Sequence, residues 1–327
     1  MKLYPIVFEP LLKPIMWGGD EICKFKGLSP IQDGIGESWE VSHVKNSVSV
    51  VSNGELKGQS LDQLIHTYEA QLLGENVLAR FGKKFPLLIK FIDARDHLSI
   101  QVHPDDALAK ARHDSFGKTE MWYVISAKPG AFLYSGFAKQ LDAQTYVENV
   151  EDNTFVETLE KHETQAGDVF FLPAGRVHAI GAGCFIAEIQ QTSDITYRIY
   201  DFNRKDAQGN SRELHTELAK DAIDYTISQE YKLSYAQEKD KFTPLVDCPY
   251  FTTNLLETDK RLERDLQERD SFSIYICMQG KLTIKDDLGA LVEIRQGQTA
   301  LIPASCKSIS LIASENCKIM ETYINKA

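Results

Sequence analysis

The chain holds 327 residues, of which 43% are apolar, 25% charged and 10% aromatic, with 20 Gly and 11 Pro spread along its length. That is enough for two domains with substantial cores, and it excludes disorder, collagen and coiled coil. Its 36 Lys and Arg against 47 Asp and Glu leave a net charge of -11, which disfavours nucleic acid as a partner but leaves room for a small anionic substrate held by a local group of cations.

The opening stretch MKLYPIVFEPLLKPIMWGGD is interrupted by Pro5, Glu9, Pro10, Lys13 and Pro14. It offers no signal-peptide core, and no run of about 18 apolar residues follows anywhere, so a cytoplasmic chain without membrane contact is expected. Residues 60–82 place Leu61, Leu64, Ile65, Tyr68, Leu72, Val77, Leu78 and Phe81 near helical spacing behind Ser60 as N-cap, which predicts one amphipathic helix or two short ones. Then the text changes. FPLLIKFID, HLSIQVH, MWYVIS, AFLYSGF, DVFFLPA and CFIAEIQ are short strand-like runs separated by turn residues, as in a sandwich or barrel. ELHTELAKDAIDY, 213–225, is helical again. Six cysteines, Cys23, Cys184, Cys248, Cys277, Cys306 and Cys317, form no CxxC pair and lie in apolar segments, as reduced core thiols do.

Compared with itself, the chain repeats. GDVFFLPAG at 167–175 and GQTALIPAS at 297–305 share a pattern at an offset of 130, and SIYICMQGKLTI at 273–284 stands to the second as WYVISAKPGAFLY at 122–134 stands to the first. Two similar β modules are implied. We expect a catalytic region over 1–240 and a second module over 241–327.

The phrase from Gly167 to His178, GDVFFLPAGRVH, resembles the second signature of the cupin superfamily, a small jelly-roll barrel with a metal on inward-facing side chains. Gly167 and Asp168 make a turn, Val169 to Leu172 a strand, and Pro173 and Gly175 a corner that aims His178 inward. At the corresponding place in the second module stands Ser308, so no metal is expected there. Gln101 and His103 are i and i+2 of one strand and share a face. Glu120 opens a strand among aromatic residues, where a carboxylate is costly unless it meets a cation. Two imidazoles, a carboxylate and an amide oxygen suit zinc, and would also hold Mn²⁺, Fe²⁺ or Co²⁺. The competing reading makes Glu120 an ordinary strand-end charge, Gln101 a surface amide and His178 a core histidine.

QVHPDD (101–106), GKTEMWYV (117–124) and the stretch 173–202 resemble the signature blocks of the type I phosphomannose isomerases, with further matches at MWGGD, ESWEVS and FPLLIKFIDA. The resemblance covers most of 1–230 and continues weakly beyond. The short interval between Glu120 and His178 matches the short bacterial branch. The resemblance implies a mainly β fold of two cupin-type jelly-roll barrels with a few added α-helices, and one zinc ion per chain on Gln101, His103, Glu120 and His178. It implies Arg198, Lys118 and Glu188 as catalytic groups and Lys90 and Ser99 as substrate-binding ones. The reaction implied is interconversion of mannose 6-phosphate and fructose 6-phosphate through a cis-enediol, with a sugar phosphate as sole partner and no obligate protein partner. The His178 to Glu188 interval is one residue longer than in some relatives, a loop difference at Gly181 to Gly183. Two other readings compete: a noncatalytic sugar-phosphate-binding protein on the same fold, and an Fe²⁺ cupin oxygenase, whose first motif QVHPDD does not supply.

Overall fold

Side chains alternate across a strand, so a strand with apolar residues on both faces has to lie between two layers. The computed structural model, which describes residues 2–205 and 208–326, is built from such strands. With 41% strand and 16% helix the chain is mainly β. The strand-like runs of the sequence become Leu87–Ala94, Ile100–Val102, Glu120–Ala127, Phe132–Phe137, Val169–Leu172 and Cys184–Gln191.

The first 233 residues contribute a seven-stranded and a five-stranded antiparallel sheet. The seven strands run in the order Lys232–Leu233, Val169–Leu172, Glu120–Ala127, Cys184–Gln191, Leu87–Ala94, Ile35–Val41, Leu11–Gly19. The five run Leu159–Glu163, Phe132–Phe137, His178–Ile180, Ile100–Val102, Tyr197–Tyr200. Ile92, Trp122, Val124, Phe170 and Ile186 of the larger sheet meet Leu133 and Ile180 of the smaller in one apolar cluster, so the two face each other. On the outer side of the smaller sheet, Ile100, Val102, Val177, Ala179, Tyr197 and Ile199 pack with Tyr146 and Ala219 of the helices Ala143–Glu151 and Thr216–Ala222.

A six-stranded and a four-stranded sheet follow. The six-stranded one is completed by the chain's own beginning, for Ile6–Val7 pairs with Thr299–Ile302 in the register Ile6↔Leu301. Between the seven- and six-stranded sheets lies the largest apolar cluster, in which Phe85, Phe91, Met121 and Ile189 meet Phe272, Ile274, Leu301 and Met320.

Helical residues in 61–81 fill part of this space, in three pieces rather than one or two: Leu61–Tyr68, Ala70–Leu73 and Glu75–Phe81. Ser60 caps the first through a capping box with Gln63. The breaks fall at Glu69 and Gly74, both at positive φ. A Cβ on Gly74 would lie 2.5 Å from the Asp270 carbonyl oxygen, so only glycine fits. Asp270 in turn accepts the backbone N–H groups of Glu75 and Asn76 at 2.8 and 2.9 Å, which ties the third piece to the second module. The helix expected over 213–225 shortens to Thr216–Ala222. Asp106–His113 and Ala143–Glu151 are helices that strand-seeking analysis passed over, each with an aspartate N-cap, Asp105 and Asp142.

The internal echo holds in three dimensions. Glu188 stands opposite Trp122 in the first module, and Glu321 stands opposite Tyr275 in the second. In both an aromatic side chain donates to the glutamate: Trp122 Nε1 to Glu188 at 2.8 Å, Tyr275 OH to Glu321 at 2.6 Å. By the same register Ser273, opposite Ile302, takes the place that Glu120 has opposite Leu172. Ser308 is exposed at the start of Ser308–Ala313. The second interior is filled instead by the ion cluster of Glu321 with Arg264 and Arg269, at 2.8 and 2.9 Å.

Burial pushes the Glu321 carboxyl up, but Arg269 and Arg264 outweigh it and hold it down at about 2, from 4.5. A depressed carboxyl adds stability that is complete above about 4.5 and lost as pH falls through about 2, on the order of 3 kcal/mol in all. Glu321→Gln is therefore expected to cost about 3 kcal/mol at pH 7, with the difference from wild type shrinking as pH falls toward 2. Urea unfolding at a series of pH values checks this; a pH-independent difference would contradict it.

Candidate metal centre and substrate cleft

Alternation determines what the first sandwich encloses. In Glu120–Ala127, Met121 and Tyr123 face the inter-module core while Trp122 and Val124 face the sandwich interior, so Glu120 faces inward too. The same logic turns Lys90 and Glu188 inward from Leu87–Ala94 and Cys184–Gln191. From the opposite sheet, Val102 and Val177 pack under the helices, which leaves Gln101, His103 and His178 to point the other way. Gln101 and Arg198 are register partners, as are Gln101 and His178, so three inward side chains form one row across the smaller sheet.

His103, Glu120 and His178 come together with ligand atoms all within 4.8 Å of one another. Glu120 is 0% exposed, with Oε1 3.1 Å from His178 Nε2 and Oε2 3.6 Å from His103 Nε2. The far ring nitrogens are committed elsewhere, since His103 Nδ1 lies 2.9 Å from the Ile195 carbonyl and His178 Nδ1 2.8 Å from the Arg176 carbonyl. A carbonyl only accepts, so each Nδ1 carries the proton and each Nε2 turns a lone pair to the centre. Gln101 joins them, its amide 3.4 Å from His178 Nε2.

Lys118 Nζ reaches into the same group, 2.9 Å from His103 Nε2 and 3.1 Å from Glu120 Oε2. Burial lowers the His103 pKa well below the usual range, and Lys118 adds to this. Burial also raises that of Glu120, but Lys118, His178 and His103 outweigh it, and the carboxyl sits well below its ordinary value. Glu120 is thus an anion, yet neither of its oxygens receives a hydrogen bond of good geometry. A buried anion that Lys118 faces but no donor meets in good geometry, with two inward lone pairs beside it, is a donor set for a divalent cation.

Above this group opens a cleft of about 210 Å³. Lys90, Ser99, Gln101, Lys118, Glu188 and Arg198 line it, so the expected residues outside the metal cluster gather on one cavity. All three tryptophans of the chain, Trp17, Trp39 and Trp122, line it as well. Lys90 is not free: Nζ is 3.1 Å from Glu188 and 3.8 Å from Glu37, and 5.3 Å from the centre of the Trp39 ring. Burial lowers its pKa, but the pull of Glu188 and Glu37 outweighs that and the net shift is upward. An amine so paired has little charge to spare for a phosphate. Glu37, Trp39 and Arg212 are cleft residues that motif reading left without a role. The first two lie in the ESWEVS block; Arg212 lies beyond the last block quoted, and only the fold brings it here.

A model of the type I phosphomannose isomerase catalytic domain matches residues 7–124. Mannose-6-phosphate isomerase of Streptococcus mutans is 36% identical over 308 residues, covering 93% of this chain and 94% of its own. Mannose-6-phosphate isomerase ManA of Bacillus subtilis is 37% identical over 256 residues, 77% of this chain and 79% of its own. Among solved structures, a mannose 6-phosphate isomerase from Bacillus subtilis superposes with a TM-score of 0.88 at 28% identity, over 98% of this chain and all of the other. The chain belongs to the type I phosphomannose isomerase family.

Proposed function

We propose that this chain interconverts mannose 6-phosphate and fructose 6-phosphate, using one zinc ion bound by Gln101, His103, Glu120 and His178. The observation that carries the reading is the buried, donor-poor Glu120 between two imidazoles at the floor of a cationic cleft, in a chain so similar to mannose-6-phosphate isomerases. Two neutral nitrogens, a carboxylate and an amide oxygen suit zinc, and the ion would keep a net positive charge. Held by these residues, such an ion would supply Lewis-acid polarisation of the sugar carbonyl and would offset negative charge developing on oxygen.

The chain's own residues supply the rest. The reaction moves one proton from C2 to C1 and one from O2 to O1, through a cis-enediol. Glu188 lines the cleft with Oε1 3.1 Å from the Lys90 ammonium and Oε2 2.8 Å from Trp122 Nε1, and is the carboxylate proposed to carry the carbon-bound proton. The two contacts together fix the direction of the carboxylate. Lys118, with Nζ 3.1 Å from Glu120, is placed to donate to the sugar oxygens as charge builds on them. Lys90 acts as a positioning residue that holds Glu188. Ser99, buried in the cleft wall, is proposed to bind a sugar hydroxyl. Arg198 faces the cleft from the edge strand of the smaller sheet and binds substrate.

No helix among the described residues is long and apolar enough to cross a membrane. The free state of all six cysteines supports a reducing compartment, and we assign the chain to the cytoplasm.

Coupled assay and metal analysis test this together. The purified chain is expected to hold about one zinc, to turn over mannose 6-phosphate, and to lose activity on chelation and regain it with zinc. His178→Ala is expected to remove metal and activity together, whereas Arg198→Ala keeps the metal and lowers kcat/KM by about tenfold or more. Binding of mannose 6-phosphate without turnover by the zinc-loaded wild type would replace this reading with the noncatalytic one.

A further inference from the structure

We infer that Arg212, held by Asp201, is the second arm of the substrate's phosphate site and works as a pair with Arg198. The inference rests on the function proposed above and assigns one end of its cleft. Three cations facing the cleft were candidates for the phosphate, and two are engaged: Lys90 with Glu188 and Glu37, Lys118 with Glu120 and His103. Arg198 is different. Among the described residues no carboxylate lies within ion-pair distance of it, its Nε is buried without a partner, and its one side-chain hydrogen bond runs from Nη1 to the Glu213 carbonyl at 2.9 Å.

Arg212 lines the same cleft. Its Nε donates to Asp201 Oδ2 at 2.7 Å and its Nη2 to Asp201 Oδ1, and among the described residues Nη1 has no hydrogen-bond partner. Asp201 is 5% exposed and also accepts from Arg204, which itself donates to the His97 carbonyl. One carboxylate between two guanidinium groups leaves one positive charge over. Burial lowers the Arg198 pKa and the like charge of Arg212 lowers it further, with Asp201 and Glu213 opposing this only in part. Two planar guanidinium groups beside one small cavity are the usual recognition of a phosphate dianion, each offering paired N–H donors. The carboxylate Asp194 shares the cleft wall but is exposed, where water screens its charge.

The turn that brings Arg212 into place is conformationally costly. Phe202 and Asn203, directly after Asp201, both adopt positive φ, at 55° and 54°. The turn is held by the Phe202 ring stacked on His97 at 5.1 Å and by Arg204. Asp201 is thus a positioning residue: it meets no substrate and aims Arg212. This geometry puts the phosphate at the Arg198 and Arg212 end, away from the Lys90, Glu37 and Trp39 group.

Binding of inorganic phosphate to the zinc-loaded chain, measured by calorimetry, is the test, because it needs no turnover. Arg212→Gln is expected to weaken phosphate binding and raise the KM for mannose 6-phosphate by about tenfold or more, with kcat, zinc content and Tm little changed. Arg212→Lys, which keeps a charge but lacks the fork, is expected to recover part of the loss. Lys90→Gln, at the other end, should leave phosphate affinity as in wild type. Unchanged phosphate affinity in Arg212→Gln, or a fall in kcat alone, would overturn the inference, as would loss of phosphate binding in Lys90→Gln equal to that in Arg212→Gln. A wild type that binds phosphate through Arg212 yet does not isomerise mannose 6-phosphate would sink the proposed function and uphold the anion site.

Discussion

The structure turns on one buried charge. Glu120 has no exposed surface and no hydrogen-bond donor of good geometry, yet Lys118, 3.1 Å from Oε2, offsets the cost of burial and keeps its pKa well below the ordinary value. Desolvating a carboxylate costs several kcal/mol, and only a close, well-placed positive charge offsets it. Two imidazoles whose protons are fixed on the far nitrogen by the Ile195 and Arg176 carbonyls turn lone pairs to the same point. Lysine alone compensates the charge in part; a divalent ion would satisfy carboxylate and lone pairs together.

The sheets exist, functionally, to hold that point still. Glu120, Lys90 and Glu188 come from three adjacent strands of the larger sheet, and Gln101, His178 and Arg198 from three adjacent strands of the smaller. Each set is fixed by antiparallel register, and a slip of one residue would turn every one of these groups out of the interior. The outer faces lock the register, one under the helices Ala143–Glu151 and Thr216–Ala222, the other against the second module. That module repeats the glutamate-and-aromatic pairing with Glu321 and Tyr275, but has Ser273 in the place of Glu120 and two arginines against its glutamate. The same framework thus hosts an ion-paired core in one copy and a cation-seeking site in the other.

Much of this was legible in the residues, because alternation and turn chemistry are local. Gln101 and His103 read as one face of one strand, and Pro173 and Gly175 as the corner before His178; the corner is there, and the strand ends at Val102 with His103 one residue past it. The three-part break in 61–81 was not legible: Gly74 breaks the helix because the Asp270 carbonyl lies against it, a contact 196 residues away in sequence. The pairing of Lys90 with Glu188 and Glu37 was hidden for the same reason, since it joins three strands. Arg212 belongs to no motif and reaches the cleft only through the turn at Phe202 and Asn203 and the grip of Asp201. The helices after Asp105 and Asp142 could have been found, for an aspartate before a run of good helix formers is itself a start signal.

X-ray absorption at the zinc edge of the purified chain tests the central claim most directly, because it reports which atoms surround the ion. The account predicts a shell of nitrogen and oxygen at about 2.0–2.1 Å with the outer scattering of two imidazole rings, and no sulfur. That shell should vanish in Glu120→Ala along with the bound metal. A sulfur shell at about 2.3 Å, or a metal retained at full occupancy with its spectrum unchanged in Glu120→Ala, would show that the ion sits elsewhere and would contradict the account.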